Sequence, residues 1–569
     1  MHSPPQRLSL ALPVLFIALL AGCATTPAPA PAQTSALHAV DVSGVRHPAG
    51  ETPQWWYRSG AARAAANGAM QGRAKNVILF LGDGMSLTTV AAARILEGQR
   101  QGNPGEENQL SWETFPHTAL SKTYNTDSQT PDSAGTMTAI TTGVKSHMGA
   151  IAVGAGNQND CKTSLSQPLL TWLELADSAG LATGVVTTAR LTHATPAATF
   201  AHVPNRNWEN DADLPALAVS EGCVDIAQQL LSSSRFGRGP RVALGGGRGE
   251  FTSTQQRDPE YDDKVGQRLD GRDLPAEWQR LHPQGAYVWN AAQLHAARDA
   301  PALLGLFEAD HMQYDHDRDR SPTGDPSLSE LTLAAIRTLS RDPHGFVLMV
   351  EGARIDHANH DGNAFRALDE TIAMSDAVRA AMSATSAEDT LILVTADHAH
   401  TLNLVGYPAR GNPILGKVRV AGGKEDMPGE LARDLTGQVF TTLTYANGPG
   451  NSGASNQQPQ GPKYFPHSPS SNEPPVGRPD LSQVDTEHPD YLQESLVPLR
   501  EESHGGEDVG VWARGPGSEA VRGTLEQNTL YHLIVQATPK LRERLCAANT
   551  CNAQGVPVEL PKPSDFERN

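Results

Sequence analysis

The segment Asn76-Val77-Ile78-Leu79-Phe80-Leu81-Gly82-Asp83-Gly84 has the pattern that decides the fold. An unbroken apolar run that ends in glycine and a carboxylate is typical of a strand buried on both faces of a sheet. Four later runs have the same character: 184–188, 346–350, 390–395 and 509–513. We therefore predict at least these five strands in the core of the protein.

Helical patterns lie between the predicted strands. Ser327-Leu328-Ser329-Glu330 is a capping box, and it predicts a helix that continues through Leu339. Phe365, Leu368 and Ile372 mark the buried stripe of another helix. Strands that alternate with helices predict an α/β fold, with a mostly parallel central sheet flanked by helices on both faces.

Polar residues follow the ends of several predicted strands. Ligands of open α/β sheets bind beyond the carboxyl ends of the strands. The residues found there are Asp83, Glu351, Asp356, His360, Asp397 and His398, and His504 precedes the last strand. A helix N-cap explains one acidic residue after a strand, but it does not readily explain the whole set. Asp, Glu and His ligands favour zinc or magnesium, and two neighbouring divalent ions suit in-line phosphoryl displacement.

A second segment, Thr130-Pro131-Asp132-Ser133-Ala134-Gly135-Thr136, predicts the start of a helix. Pro131 fits a helix N-terminus, where its missing N–H is not needed. Ser133 would then lie at the positive end of the helix dipole, a place that suits a phosphate group. Its hydroxyl is a candidate nucleophile if a neighbouring group lowers its pKa. The alternative interpretation is an ordinary capping serine.

Length and charge narrow the class of protein. The chain has 569 residues, which is enough for one large, elaborated domain. Its formal net charge is −18, whereas a nucleic-acid-binding protein would show a basic face. We therefore expect no nucleic-acid partner.

The N-terminus has the features of an export signal. Arg7 precedes a short apolar run, 8–20, and Leu20-Ala21-Gly22-Cys23 resembles a bacterial lipobox. This predicts a lipoprotein signal peptide at 1–22, a lipid on Cys23, and a Pro/Ala-rich tether at 23–50. The protein would then be exported and anchored to a bacterial membrane. A plain secretory signal cleaved near Ala24 is the alternative.

Four further cysteines predict two disulfides in an exported chain. Cys546 and Cys551 form a natural local pair, which leaves Cys161 to pair with Cys223. Four free buried thiols are the alternative interpretation.

Taken together, the motifs resemble those of the alkaline phosphatase family, from about Asn76 to the end of the chain. The similarity is strongest to the animal-type branch of that family. The motifs are Gly82-Asp83-Gly84-Met85, Asp132-Ser133, Asn205-Arg206-Asn207-Trp208, Gly352-Ala-Arg-Ile-Asp356-His357-x-x-His360, Thr395-Ala-Asp397-His398 and His504-Gly-Gly-Glu-Asp-Val509. Any one motif is weak, but so many in this order are highly specific. The resemblance implies metal-dependent hydrolysis of phosphate monoesters, with broad specificity, through a phosphoserine intermediate.

The resemblance also implies a role for each site residue. Ser133 would be the nucleophile, and Arg206 would clamp two phosphate oxygens. The metal sites would be one zinc on Asp356, His360 and His504, a second zinc on Asp83, Asp397 and His398, and magnesium on Asp83, Thr195 and Glu351. His193 and His357 would lie near the metals without binding them, or would be ordinary structural histidines.

Three further features follow the animal-type pattern. The spacing of Cys161 and Cys223 and the short C-terminal cysteine pair fit disulfides of that branch. A fourth, calcium site is implied at Glu260, Phe307 (through its carbonyl), Glu308 and Asp325, where a solvated acidic loop is the alternative. Residues 402–502 correspond to a crown-like insertion near a dimer interface, so we expect a catalytic domain at 51–569 and a homodimer.

Two other functions compete with this one. A phosphodiesterase or sulfatase of the same superfamily would share the metal-binding sheet but differ in its nucleophile and third metal. A catalytically idle metal-binding lipoprotein is the third hypothesis, and the full set of ligands together with Ser133 argues against it. Thr195, Glu351 and Arg206 favour monoester chemistry, because additional positive charge suits a dianionic group.

Overall fold

The computed structural model describes residues 39–45, 50–154, 160–232, 236–421, 429–451, 463–464 and 477–568. The predicted signal peptide, Cys23 and most of the predicted tether lie outside these residues. Residues 39–45 pack against the first helix: the Arg58 Nε donates to the Asp41 carbonyl at 2.9 Å, and the Trp55 Nε1 donates to the Ser43 carbonyl at 2.8 Å. In the described part of the chain, no helix combines the length and apolarity needed to cross a bilayer.

Ten strands form one central sheet. They are β1 (Asn76–Gly82), β2 (His117–Lys122), β3 (Ala182–Arg190), β4 (Val242–Gly246), β5 (Ala286–Val288), β6 (Leu303–Leu306), β7 (Phe346–Gly352), β8 (Thr390–Ala396), β16 (Val509–Arg514) and β17 (Gly523–Glu526). Their order is β17-β2-β16-β8-β1-β7-β3-β4-β6-β5. Only the two pairings of β16 are antiparallel, so the predicted mostly parallel sheet is confirmed.

Short strands lie outside the central sheet. They are β9 (Ala399–His400), β10 (Leu402–Leu404), β11 (Leu443–Gly448), β12 (Lys463–Tyr464), β13 (Tyr491–Leu492), β14 (Ser495–Pro498) and β15 (His504–Gly505). All but β9 and β15 belong to the insertion at 402–502, where β10, β11 and β14 form a small sheet. Within this insertion, residues 422–428, 452–462 and 465–476 lie outside the described part of the chain.

Helices cover both faces of the central sheet. They are α1 (Pro53–Ala66), α2 (Leu87–Arg100), α3 (Ser133–Thr142), α4 (Cys161–Ser166), α5 (Trp172–Ser178), α6 (Ala194–Ala197), α7 (Ala216–Ser220), α8 (Ile226–Ser232), α9 (Arg248–Phe251), α10 (Leu274–Leu281), α11 (Ala291–Ala296), α12 (Leu328–Leu339), α13 (Arg354–His360), α14 (Ala364–Ala384), α15 (Thr529–Ala537) and α16 (Pro539–Ala547). The predicted capping box opens α12, where Ser327 and Glu330 bond each other's backbone N–H groups.

Strand β1 explains why both faces are covered. Every residue of β1 is buried, and successive side chains point to opposite faces of the sheet. Val77, Leu79 and Leu81 pack in the core beneath α1, α3 and α15. Ile78 and Phe80 pack in a second core beneath α2, α12 and α14. A strand with two apolar faces is stable only between two layers of helices, as the continuous apolar run predicts.

The register of the sheet brings the predicted ligands together. Gly82 at the end of β1 is opposite Gly352 of β7 and Ala396 of β8. Asp83 and Asp397 are each the next residue after these aligned positions. The carboxyl ends of three neighbouring strands therefore present their acidic residues at one edge.

Both predicted disulfides are present. Cys161 is bonded to Cys223, and Cys546 is bonded to Cys551. The first joins α4 to the segment after α7, and the second closes a short C-terminal loop.

Candidate active site

Helix α3 begins at Ser133 and points its N-terminus at the acidic edge of the sheet. Asp132 is the N-cap, because its side chain accepts a hydrogen bond from the Gly135 N–H at 3.1 Å. Pro131 therefore lies one residue before the cap and outside the helix. Ser133 does not act as a cap. Its Oγ lies 3.1 Å from His398 Nε2 and 3.5 Å from Asp83 Oδ1, and the side chain is buried.

The first group of predicted ligands surrounds this hydroxyl. His398 Nε2 lies 3.4 Å from Asp83 Oδ1 and 3.3 Å from Asp397 Oδ2. The N–H of Gly84 donates to Asp397 Oδ1 at 3.1 Å, and the Thr136 hydroxyl donates to Asp397 Oδ2 at 3.2 Å. Two carboxylates and one imidazole thus converge on one point beside Ser133.

The second group contains Asp356, His360 and His504. The Nε2 atoms of His360 and His504 lie 3.4 and 3.5 Å from Asp356 Oδ1, and 3.1 Å from each other. His504 Nδ1 donates to the Pro131 carbonyl at 2.7 Å, and His360 Nδ1 donates to the Glu502 carbonyl at 2.5 Å. With their protons on Nδ1, both rings turn a lone pair toward the same point, as metal-binding histidines do.

The third group lies on the other side of Asp83. The Thr195 hydroxyl is 3.4 Å from Asp83 Oδ2, and ligand atoms of Asp83, Glu351 and His193 lie within 4.8 Å of one another. Glu351 Oε2 accepts a hydrogen bond from the Thr187 hydroxyl at 2.6 Å. Glu351 Oε1 is buried and has no hydrogen-bond partner among the described residues. A buried carboxylate oxygen without a partner is costly, and a cation would satisfy it.

His400 is a site residue that the sequence analysis missed. Its Nε2 lies 2.6 Å from Asp356 Oδ1, and its Nδ1 contacts Glu502 Oε2. Burial alone would lower the pKa of His400, but Glu502 and Asp356 raise it to about 10. The His400 ring therefore links Asp356, a predicted zinc ligand, to the carboxylate of Glu502. The alternation Asp397-His398-Ala399-His400 was the available signal, because residues i and i+2 of a strand lie on the same face.

A short strand pair explains how distant residues meet here. Strand β9 pairs with β15 in antiparallel register, so His400 is opposite His504. Gly84 leaves room for this arrangement. Its φ is +66°, and a Cβ at this position would lie 2.3 Å from His400 Cδ2. Only glycine fits both the left-handed backbone and the close approach.

Arg206 lies beside the N-terminus of α3, where it contacts the N-cap residue Asp132 and also His193. Its Nη1 donates to Asp132 Oδ2 at 3.2 Å, and its Nη2 lies 3.1 Å from His193 Nε2. The ring centroids of His193 and His357 are 5.5 Å apart. The planar guanidinium is thus held beside the nucleophile, where it can bond two oxygens of one phosphate.

The electrostatics of the cluster fit divalent cations. Burial, together with repulsion from Asp397, Asp356 and Glu351, raises the pKa of Asp83 well above its usual range. Burial raises the pKa of Glu351 to about 8 and lowers that of His398 to about 3. Protein groups alone thus disfavour the ionised forms of Asp83 and Glu351. Cations bound between them would restore the ionised forms, since metal binding and deprotonation are coupled.

The predicted calcium residues have protein partners. Arg248 Nη2 donates to Glu260 Oε2 at 2.8 Å, and the Tyr261 hydroxyl lies 2.8 Å from both oxygens of Glu308. Burial and the two glutamates raise the pKa of Asp325 to about 7. Within the described residues, these carboxylates are not among the groups whose ligand atoms lie within 4.8 Å of one another. The calcium site, including the carbonyl of Phe307, stays a prediction.

Comparisons with known proteins agree with this arrangement. The family model described as "Alkaline phosphatase" matches residues 74–539. The chain is 43% identical to the tissue-nonspecific alkaline phosphatase of Felis catus over 472 residues, which covers 81% of this chain and 83% of the cat enzyme. It is 42% identical to the tissue-nonspecific isozyme of Homo sapiens over 473 residues, which covers 82% of this chain and 83% of that enzyme.

Solved structures of bacterial enzymes share the fold. The alkaline phosphatase of Thermus thermophilus superposes with a TM-score of 0.55 at 24% identity, covering 84% of this chain and 96% of that one. The enzyme of the Antarctic bacterium TAB5 superposes with a TM-score of 0.53 at 23% identity, covering 82% and 99%. The family match and the identity to the animal enzymes together establish that this chain belongs to the alkaline phosphatase family.

Proposed function

We propose that the metal-dependent hydrolysis of phosphate monoesters, which the chain carries out as a member of its family, proceeds through a phosphoserine at Ser133. The position of the Ser133 Oγ carries this proposal: it lies at the N-terminus of α3, 3.1 Å from His398 Nε2 and 3.5 Å from Asp83 Oδ1. Free helix N–H groups and the helix dipole favour a phosphate at this place.

The proposed reaction has two displacements at phosphorus. In the first, a bond forms between Ser133 Oγ and phosphorus, the bond to the alcohol oxygen breaks, and the alcohol leaves with a proton. In the second, water attacks the phosphoserine, and inorganic phosphate and the free Ser133 hydroxyl are released. Arg206 holds two phosphate oxygens throughout and compensates their charge. Because these contacts involve the transferred group and not its alcohol, we expect broad specificity.

Two zinc ions and one magnesium ion are the proposed cofactors. The mixed nitrogen and oxygen donors of Asp83, Asp397 and His398, and of Asp356, His360 and His504, suit zinc. The oxygen donors of Asp83, Thr195 and Glu351 suit magnesium with water ligands. When bound, such ions lower the pKa of a hydroxyl and neutralise charge on the attacking and leaving oxygens.

Ser133→Ala is expected to lower turnover of p-nitrophenyl phosphate by orders of magnitude, because the variant cannot form the phosphoserine. Zinc content should stay close to that of the wild type, since the hydroxyl is not one of the proposed zinc ligands. Ser383→Ala, an exposed serine on α14, is the matched control. The wild type should hydrolyse bis-p-nitrophenyl phosphate and p-nitrophenyl sulfate much more slowly than p-nitrophenyl phosphate, as expected of a monoesterase. Full activity of Ser133→Ala would remove Ser133 from the mechanism.

His400→Asn is expected to weaken zinc binding by about 10- to 100-fold, because His400 orients Asp356 without being a proposed ligand. Asp397→Ala, which removes a proposed ligand, should lose one zinc altogether. Competition with a chromophoric chelator measures both effects. His295→Asn, an exposed histidine on α11, serves as the control. Retention of two tightly bound zinc ions in Asp397→Ala would contradict the ligand assignment.

We also propose a membrane-anchored, exported protein. The support is the lipobox-like segment Leu20-Ala21-Gly22-Cys23 after a short apolar run. Cys23→Ser should move the protein from the membrane fraction to the soluble fraction after expression in a bacterium, because the lipid is attached to the thiol. Fractionation with activity assays of both fractions tests this. Continued membrane association of Cys23→Ser would point to another anchor.

A homodimer is proposed through the insertion at 402–502. Exposed apolar residues are concentrated there, among them Leu404, Val405, Tyr407 and Leu496. Tyr407 is 93% exposed and has a φ of +53°, a strained conformation for a bulky residue. A surface of this kind is typical of an interface.

Sedimentation velocity should give a particle of twice the mass of one chain, and Leu496→Asp should shift it toward the monomer by burying a charge. Leu217→Asp, at an exposed leucine outside the insertion, should leave the dimer intact. A wild-type monomer at micromolar concentration would refute the dimer.

A further inference from the structure

One arginine near the active site forms no direct ion pair with the described residues. Arg354 is the first residue of α13, two residues before Asp356. By contrast, Arg206 pairs with Asp132 at 3.2 Å, and Arg190 pairs with Glu209 at 2.6 Å. Among the described residues, no carboxylate oxygen lies within 4.0 Å of the Arg354 guanidinium. Its positive charge therefore acts on carboxylates only over longer distances, where it opposes the rise in pKa of Asp361 and Glu370.

The Arg354 guanidinium is nevertheless held in place. Its Cζ lies 3.8 Å from the centroid of the Tyr314 ring, and its Nη1 is 2.8 Å from His357 Nδ1. Tyr314 is fixed in turn, because its hydroxyl donates to Asp361 Oδ2 at 2.9 Å and its ring packs against Ala358. A guanidinium stacked on a fixed ring has a defined plane, and its free edge can bind an anion with two parallel hydrogen bonds.

The Arg354 hydrogen bonds are incomplete within the described residues. Nε is buried without a partner, and Nη2 makes no hydrogen bond. An arginine has five N–H donors, and a buried donor left unpaired costs free energy. The described residues therefore leave N–H donors of Arg354 unsatisfied, and of these Nη2 is the one proposed to meet a ligand.

Arg354 lies next to the proposed phosphate clamp. The Arg206 Nη2 contacts His193 Nε2 at 3.1 Å, the rings of His193 and His357 are 5.5 Å apart, and His357 contacts Arg354. Two imidazole rings thus separate the two guanidinium groups. Arg354 is therefore linked to the phosphate clamp through His357 and His193, and a substrate with two phosphate groups could contact both arginines.

We propose that Arg354 forms a subsite for a second phosphate group on the alcohol portion of the substrate. The preferred substrates are then phosphate monoesters whose alcohol carries another phosphate. This inference rests on the proposed function, because it assumes that Arg206 binds the reacting phosphate. Arg354 touches the substrate only at the second group and takes no part in bond making.

Two substrates that share the reacting group and alkyl chain test the proposal. They are propane-1,3-diol bisphosphate and 3-hydroxypropyl phosphate. The readout is the kcat/KM of the bisphosphate divided by that of the monophosphate. The value for the bisphosphate is first halved, because either of its two equivalent phosphates can react. Arg354→Gln should lower this ratio about tenfold, as expected for loss of one charged hydrogen bond. The change should come mainly from a higher KM for the bisphosphate. Arg354→Lys should restore part of the ratio because it keeps the charge.

The control is Arg298→Gln, at an exposed arginine of the surface, which should not change the ratio. Zinc content and thermal unfolding show that each variant is folded. An unchanged ratio in Arg354→Gln and Arg354→Lys would overturn the subsite. An equal loss with both substrates would also overturn it, because Arg354 would then merely position α13. Failure of the wild type to hydrolyse either substrate would instead refute the proposed function and this inference with it.

Discussion

The structure depends on an electrostatic constraint: several carboxylates are buried close together at one edge of the sheet. Asp83, Glu351 and Asp397 are fully buried, and burial raises the pKa of each. Such a cluster opposes folding unless positive charge lies between its members. Imidazoles supply part of the compensation around Asp356, whose pKa is lowered well below its usual range despite its burial. The family to which the chain belongs uses divalent metals, and these would supply the rest.

The central sheet makes this cluster possible. Because β1, β7 and β8 are parallel and in register, their acidic residues reach the same edge without any one loop having to bend toward another. Antiparallel pairing of β9 with β15 then brings His504 to His400 across more than one hundred residues of insertion. Apart from Glu351 in β7, the proposed site residues lie outside the core strands. The packing of these strands between two layers of helices fixes the positions that the chemistry requires.

The central strands could be predicted because burial on both faces leaves an unmistakable apolar run, as in β1. Strands away from the centre of the sheet leave a weaker signal: β2, next to the edge strand β17, mostly alternates between partly covered and exposed residues, and the edge strand β5 has only three residues. The reversed direction of β16 was not predictable, because it depends on the course of the chain through the insertion. Asp83, Asp397 and His398 could be placed at the site from their positions after strands. His400 was missed although it follows His398 by two residues, because its contacts with Asp356 and Glu502 depend on the pairing of β9 with β15.

The most direct test of the account is the metal content of the purified wild-type protein, measured by mass spectrometry after dialysis against metal-free buffer. The buried cluster predicts close to three divalent ions per chain, two of them zinc. A folded and active protein with no tightly bound divalent ion would contradict it, because the carboxylates would then have to be accommodated by protein groups alone.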